Sequence, residues 1–498
     1  MNNDFKVTMS FAAAVAAAAF SLAAHGAVVY VSPDGKGVDE GGTGALAQPY
    51  DIYTGVAQAG DGGEVRLLMS ENRYFLTNSV YVNKRALRGW NGTSDTPAGS
   101  DGRDKVIIDG GETVECLYSA NQQGSWTIAD LTLTRGCPTK EGSLLYGLNV
   151  TGNSVVSNCV FRESSCTNSK RCVRVNVFTG GSLRFINCDF RELEALDWFG
   201  FLNVDGAPDS IVFDRCRFIN NVNSGPQNSY GSFAYGNADF TDCVISNNTG
   251  TGIGGFSMGR SSWTRCLFAD NSSVNCGVCL YNRGTMVVND CFFTNNVCTK
   301  INANGGGCIA AGYISGNDSS GTLAVTNCVF IGNASHSRGA VASFRSATDK
   351  TSSISFSRCS FVTNVSGVCL GSNNRYSTAS AVIYGQRISD FFLENCIFTD
   401  NVTSGVCAAV ACTELINSHV RNCLFLRNRS LGTNGGSTEG AVNLGGISYV
   451  HNCTFVNNGT SRNLYGALVV GGSNESGPEK LVANCIFSGN SRYNGVEA

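Results

Sequence analysis

The chain is poor in histidine, proline and charge: 4 His, 7 Pro and 15% charged residues in 498. Four imidazoles leave little material for a histidine metal centre or a nucleophile–histidine pair. So little Pro beside 60 Gly, with no G-x-y period, excludes a collagen-like fibre. Lys plus Arg total 35 against 38 Asp plus Glu, a net charge of −3, so the basic excess of a nucleic-acid binder is missing. Past the first 26 residues there is no run of ~18 apolar residues, which excludes a transmembrane helix in the mature chain. What is present is 42% hydrophobic residues, enough for a large core, and 23 Cys.

The first 26 residues read as a signal peptide. Lys6 precedes an apolar run from Phe11 to Ala24, and Ala24-His25-Gly26 places small residues before a cut at Ala27. The expected location is therefore secreted or cell-surface, in a bacterial outer membrane or outside it.

From residue 159 one phrase recurs, polar-Cys-x-Phe-x-x-Asn, around Cys159, Cys188, Cys216, Cys243, Cys266, Cys291, Cys328, Cys359, Cys396, Cys423, Cys453 and Cys485. The spacing runs from 23 to 37 residues. The residue two beyond the Cys is Phe in every copy but one, where it is Ile245, and the residue five beyond is Asn in the last ten. Cys and Phe, two apart, share one face of a strand. The apolar residue three before the Cys, such as Phe213, Trp263 or Val325, has the wrong parity for that strand. A kink must lie between, and the polar residue just before the Cys fits it. A second phrase, Gly followed by small apolar residues (Gly339-Ala340-Val341, Gly367-Val368-Cys369, Gly405-Val406-Cys407, Gly440-Ala441-Val442, Gly466-Ala467-Leu468), predicts another short strand.

Three short strands per repeat describe one rung of a parallel β-helix, about fourteen rungs in all. The expected fold is all-β, a single-stranded right-handed parallel β-helix. Residues 27–115 would form an N-terminal cap region and first rungs, and residues 116–498 the repeats. Cys and Phe columns fill the interior, and the Asn column is expected in a tight left-handed turn, its amides bonding from rung to rung. Variable loops then leave the coil at one edge.

Val29-Tyr30-Val31-Ser32-Pro33-Asp34-Gly35, Val106-Ile107-Ile108-Asp109-Gly110-Gly111 and Ile128-Ala129-Asp130-Leu131 resemble the first coils of secreted pectin-lyase-like β-helix proteins. The nine FxxN copies and the Gly-Gly-Ala-type phrases resemble chlamydial polymorphic membrane proteins, the adhesin passengers of autotransporters. That resemblance implies loops displayed for adhesion to a polysaccharide or a host or cell-surface ligand. It also implies a C-terminal anchor or membrane barrel, which the repeat ending at Ala498 does not include. The first family implies the alternative, a polysaccharide lyase or glycoside hydrolase. Polygalacturonase-like members use adjacent Asp pairs, a Gly-His-Gly and an Arg-x-Lys; here only Arg103-Asp104-Lys105 is found.

The stacked Cys are expected to be buried thiols, since side chains aligned in one direction do not meet disulfide geometry. Cys166 with Cys172 and Cys407 with Cys412 are the pairs best placed for disulfides. Cys279, Cys369 and Cys407 would make a second column. Arg215, Asp242, Arg265 and Asp290 alternate in sign and predict a surface ladder of ion pairs. His336, His419 and His451 read as exposed residues in or near turns, where a lone His is rarely catalytic.

Two rungs break the rule. They carry Phe161-Arg162-Glu163 and Phe190-Arg191-Glu192 where later rungs lead to Asn, with Glu194, Asp197 and Trp198 close behind. In register, two Arg and two Glu would stack. If the chain is an enzyme, Arg162, Arg191, Glu192 and Asp197 are the catalytic candidates. Glu163 and Glu192 could hold Ca²⁺, and Trp198 could stack on a sugar ring. Diagonal Arg–Glu bridges explain the same cluster without chemistry. No other cofactor is implied.

Overall fold

The computed structural model describes residues 26–119, 124–137, 142–166, 171–195, 201–206, 210–224, 237–250, 255–257, 259–274, 278–282, 284–299, 307–312, 321–336, 338–345, 352–367, 381–405, 407–413, 417–431, 440–460, 467–470 and 479–492. It is a right-handed parallel β-helix. The first sheet has seventeen strands, and every pairing in it is parallel except that of Thr96–Pro97 with Ala86–Asn91. It opens with Val28–Lys36, Glu64–Leu68 and Ala86–Asn91 and closes with Lys480–Ala483. The N-terminal region thus supplies true rungs, which is why the coil is longer than the repeat phrase alone implies. The helix Ile52–Ala59 lies over the first coils. Asp51 caps it by accepting from the Tyr53 and Thr54 amides, and it buries Ile52, Val56 and Ala59.

The second ladder carries the Cys-x-Phe phrase. It is continuous in Val160–Cys166 and Asp189–Ala195, then forks: Asp189–Ala195 pairs with both Arg217–Ile219 and Val222–Asn223. The fork coincides with the first Asn of the column, Asn221. From there on each rung breaks its strand at that point. The third sheet comes in a five-stranded block, Val80–Tyr81 to Leu202–Gly206, and an eight-stranded block, Gly255–Ser257 to Leu468–Val470. The phrases at Gly339 and Gly440 lead directly into strands of this sheet, Ala342–Arg345 and Val442–Leu444, while Gly466 lies outside the described residues. After Gly367 and Gly405 the strand starts later, at Ile383–Gln386 and Val410–Thr413.

The interior consists of columns. Phe268, Phe293, Phe330, Phe361 and Phe398 stack face to face at 4.3–5.1 Å between centroids. Phe185, Phe213, Phe240 and Trp263 form a second stack at 3.7–4.8 Å. The kink between them is where expected: Arg215, Asp242, Arg265, Asp290 and Asn327 all have φ of 53–56°. Every Cys of the column from Cys159 to Cys453 is buried, and each thiol donates to a backbone carbonyl, as Cys159 does to Ser157 O at 3.2 Å.

The Asn column departs from expectation. Its amides do bond from rung to rung, but the Asn is not the left-handed residue. That residue is the one before it: Asn220 at φ 57°, Asn247 at 54°, Asp270 at 56°, Asn295 at 54°. The preceding residue makes the turn, which points the following Asn inward. Asn271 and Asn296 are fully buried, and each Nδ2 also donates to a Phe or Ile carbonyl of the preceding rung.

The disulfide expectation fails at the described residues. Cys172, Cys407 and Cys412 are not in disulfides, and the side chain of Cys166 lies outside the described residues. Cys279 aligns with Cys308, and through Ile309–Ala342–Ile383–Val410 with Ala409, so Cys407 is two residues out of that column. Cys369 lies outside the described residues. No helix among the described residues is long and apolar enough to cross a membrane.

Candidate functional site

Arg162 and Arg191 are direct neighbours on adjacent rungs, as the repeat register requires. Two like charges side by side repel, and the structure offsets them with Asp104. Asp104 Oδ1 lies 3.7 Å from Arg162 and 3.6 Å from Arg191. Asp104 belongs to the one-turn helix Arg103–Lys105, the lone Arg-x-Lys of the sequence. Arg103 in turn reaches Asp189 at 2.8 Å, with both side chains largely buried, and donates to Asn187 O at 3.4 Å. The N-terminal region is thereby stapled onto rungs about 85 residues ahead. Among the described residues the expected Arg–Glu bridge is found within one rung, Arg162 to Glu163 at 3.6 Å.

Glu163 and Glu192 occupy the left-handed corner, with φ of 50° and 56°, and are exposed. With Glu112, Glu194 and Arg135 they line a groove of about 310 Å³. Arg135 is drawn away by Asp109, which it contacts at 2.6 Å, while Ser165 donates to Glu194 at 3.0 Å. Burial works against charge on Asp109, but hydrogen bonds from Arg135, Arg73 and the Gly111 amide hold its carboxyl below the usual range. The groove is therefore acidic and repels an anionic sugar chain. Among the described residues no three His, Cys, Asp or Glu side chains converge as a metal site. Asp197 and Trp198 lie outside the described residues.

The sign-alternating column is a ladder only in part. Arg265 grips Asp242 with two hydrogen bonds of 2.7 and 2.8 Å, whereas Arg215 turns to Asp214, the residue before it in the chain, at 2.9 Å.

A second surface escaped the sequence reading. His419 lies within the strand Asn417–Arg421 of the first sheet, and His451 ends the strand Ile447–His451, just before the left-handed Asn452. His419 stacks outward between Phe392, at 5.3 Å and 13°, and Tyr449, at 4.9 Å and 17°. Phe392 is 40% exposed. Arg421 binds Glu394 at 2.8 Å beside this stack, and Tyr449 donates to Glu479 at 3.1 Å. On the same outer face, in the preceding rungs, runs a trough of about 400 Å³ lined by Thr285, Thr322, Ser352, Ser353 and Asp390. The signal was in the sequence: four residues before the Cys the column reads Val287, Ala324, Ser355, Phe392, His419, Tyr449. It becomes visible only when rungs of unequal length are aligned by that Cys.

No family model matches the chain. No curated protein matches it either. Among solved structures it is similar to the catalytic unit of a GH87 α-1,3-glucanase from Streptomyces thermodiastaticus, at 12% identity and a TM-score of 0.32, over 93% of this chain and 69% of that one. It is also similar to the pectate lyase Pel9A, at 14% identity and 0.33, over 79% and 78%. A third is the alginate lyase AlyF-OU02, at 12% and 0.31, over 69% and 80%. The parallel ladders that make the β-helix are the strand pairing of this chain itself.

Proposed function

We propose that this chain is a non-catalytic β-helical rod, exported to the cell surface or beyond, that binds polysaccharide and displays its loops for adhesion. The observation that carries this reading is the outward aromatic stack of Phe392, His419 and Tyr449, with a hydroxyl-lined trough two residues away along the same sheet face, at Ser353 and Asp390. Stacked rings with flanking hydroxyls suit a sugar, which offers both an apolar ring face and hydroxyl groups. The alternative, a lyase or hydrolase centred on Arg162 and Arg191, has the weaker support. Both guanidiniums are already engaged by Asp104, and the adjoining groove is acidic.

The test is a screen of the purified chain against neutral and acidic polysaccharides, with and without Ca²⁺. It reads retention on immobilised glycan together with new reducing or unsaturated ends. Retention without new ends is the expected result. Product formation at an enzyme-like rate, lost in Arg162→Ala or Arg191→Ala, overturns the reading in favour of the enzyme.

A further inference from the structure

We infer that the interior cysteine column is a linear binding site for a soft monovalent metal ion, copper(I) or silver(I), each ion held in line between the sulfurs of two consecutive rungs. The site is independent of the polysaccharide reading and uses a different part of the molecule. Twelve cysteines, Cys159 to Cys485, lie one above another without a break, because the residues that follow them are paired in register through all eleven steps. Each thiol donates to the carbonyl two residues before it, at 3.2–3.5 Å in every rung. With the same contact in every rung, each sulfur is its neighbour displaced by one rung, ~4.8 Å along the axis.

The spacing suits a two-coordinate ion. A metal–thiolate bond is ~2.3 Å, so an ion midway between two sulfurs spans ~4.6 Å of the ~4.8 Å between rungs. Zinc takes four ligands in a tetrahedron, and the column offers two per gap. Thiolates select soft ions such as copper(I), and copper(I) and silver(I) accept two donors in line. The sulfurs already turn electron pairs toward the rung before: the Cys266 amide donates to Cys291 Sγ, the Cys291 amide to Cys328 Sγ and the Cys359 amide to Cys396 Sγ, each at 3.4 Å. Charge balances as well. Each ion that enters replaces one thiol proton, an S–H bond giving way to a sulfur–metal bond with no change of oxidation state. Singly charged ions alternating with thiolates leave no net charge along the buried column, as its apolar surroundings require. Cys298, also fully buried, differs: Ser273 and Ser335 stand above and below it in its column.

The experiment supplies silver(I) to the full chain, with zinc(II) in parallel. Because the thiols are buried, the ion is given both to the folded chain and during dilution from urea. After desalting, native mass spectrometry counts the ions, X-ray absorption reads their ligands and circular dichroism verifies the fold. The expected result is about one silver ion per gap of the column, each bonded to two sulfurs, on a chain that keeps its β-sheet spectrum. Cys328→Ala breaks the two gaps beside it and should lose two ions relative to the parent. Cys298→Ala should lose none, whereas an unfolded chain would count every thiol alike. The inference falls if neither arm retains silver, if loading abolishes the sheet spectrum, if three or four sulfurs surround each ion, if zinc is retained as fully as silver, or if the two variants lose equally. None of these outcomes bears on glycan retention, so the proposed function stands or falls separately.

Discussion

Asn271 Nδ2 lies 2.9 Å from Asn296 Oδ1, and the same oxygen accepts the Asn271 backbone N–H at 3.2 Å. One amide thus joins two rungs that are 25 residues apart in the chain. The link repeats from Asn221 to Asn490, and the column leaves no amide hydrogen-bonding group unpaired inside the coil. Removing one member strands buried groups on two sides. Asn296→Ala exposes the need of the Asn271 amide and of Phe268 O at once, and should cost on the order of 3 kcal/mol. The measurement is the urea midpoint. A shift no larger than that of a surface Ser→Ala variant would show that water replaces the amide.

The aromatic columns separate stability from binding. Phe330 is fully buried between Phe293, at 4.7 Å, and Phe361, at 5.1 Å. Phe330→Ala should cost about 3–5 kcal/mol. Phe392 is 40% exposed, so Phe392→Ala should cost about 1 kcal/mol or less while removing glycan retention. Equal losses of stability in the two variants would mean that the inward and outward columns are wrongly assigned.

Much of this frame was legible beforehand, because a solenoid prints its columns in the sequence. Cys159 to Cys485, the Phe two residues on, and the kink before the Cys all follow from strand parity. The Asn conformation was missed because two adjacent polar residues compete for one left-handed corner, and periodicity does not say which of Asn295 and Asn296 turns in. The third sheet was half legible: Gly440 leads directly into its strand, while Gly367 is followed by a long insertion that moves the strand to Ile383. The Arg162–Arg191 neighbourhood was placed correctly, yet its partner Asp104 comes from another part of the chain, and no local pattern announces a contact of that range. The aromatic stack was missed because Phe392, His419 and Tyr449 each look like an isolated residue until their rungs are superposed.

The cysteine column predicts a clear order of reactivity. Burial pushes the Cys116 thiol up to about 12 and raises Cys159 as well, so thiolate is scarce at these two positions at neutral pH. Cys137 and Cys485 are only partly buried. Alkylation of the native chain followed by peptide mapping should label Cys137 and Cys485 well before Cys159, Cys291 or Cys328. In denaturant, with no reductant, the 20 described cysteines that form no disulfide should all become labelled. Mass evidence for a Cys407–Cys412 bridge would contradict the structure.

Acid should act through Asp109. Its carboxylate is fully buried and holds Arg73 at 2.8 Å, Arg135 at 2.6 Å and the Gly111 amide at 2.9 Å. Burial alone would raise its pKa, but the donors outweigh burial and the folded value lies below the ordinary one. A carboxyl depressed in this way contributes its full stability above the unfolded pKa of ~3.9 and loses it as pH falls through the folded value. Asp109→Asn removes the charge while leaving two cations facing each other, and should cost about 3–5 kcal/mol at pH 7. Acidification then protonates the parent but not the variant, so the gap between their urea midpoints should narrow as pH is taken from 7 to 3 and below. A gap that stays constant over that range would mean that Arg73 and Arg135 are held by the shape of the site and not by the charge of Asp109.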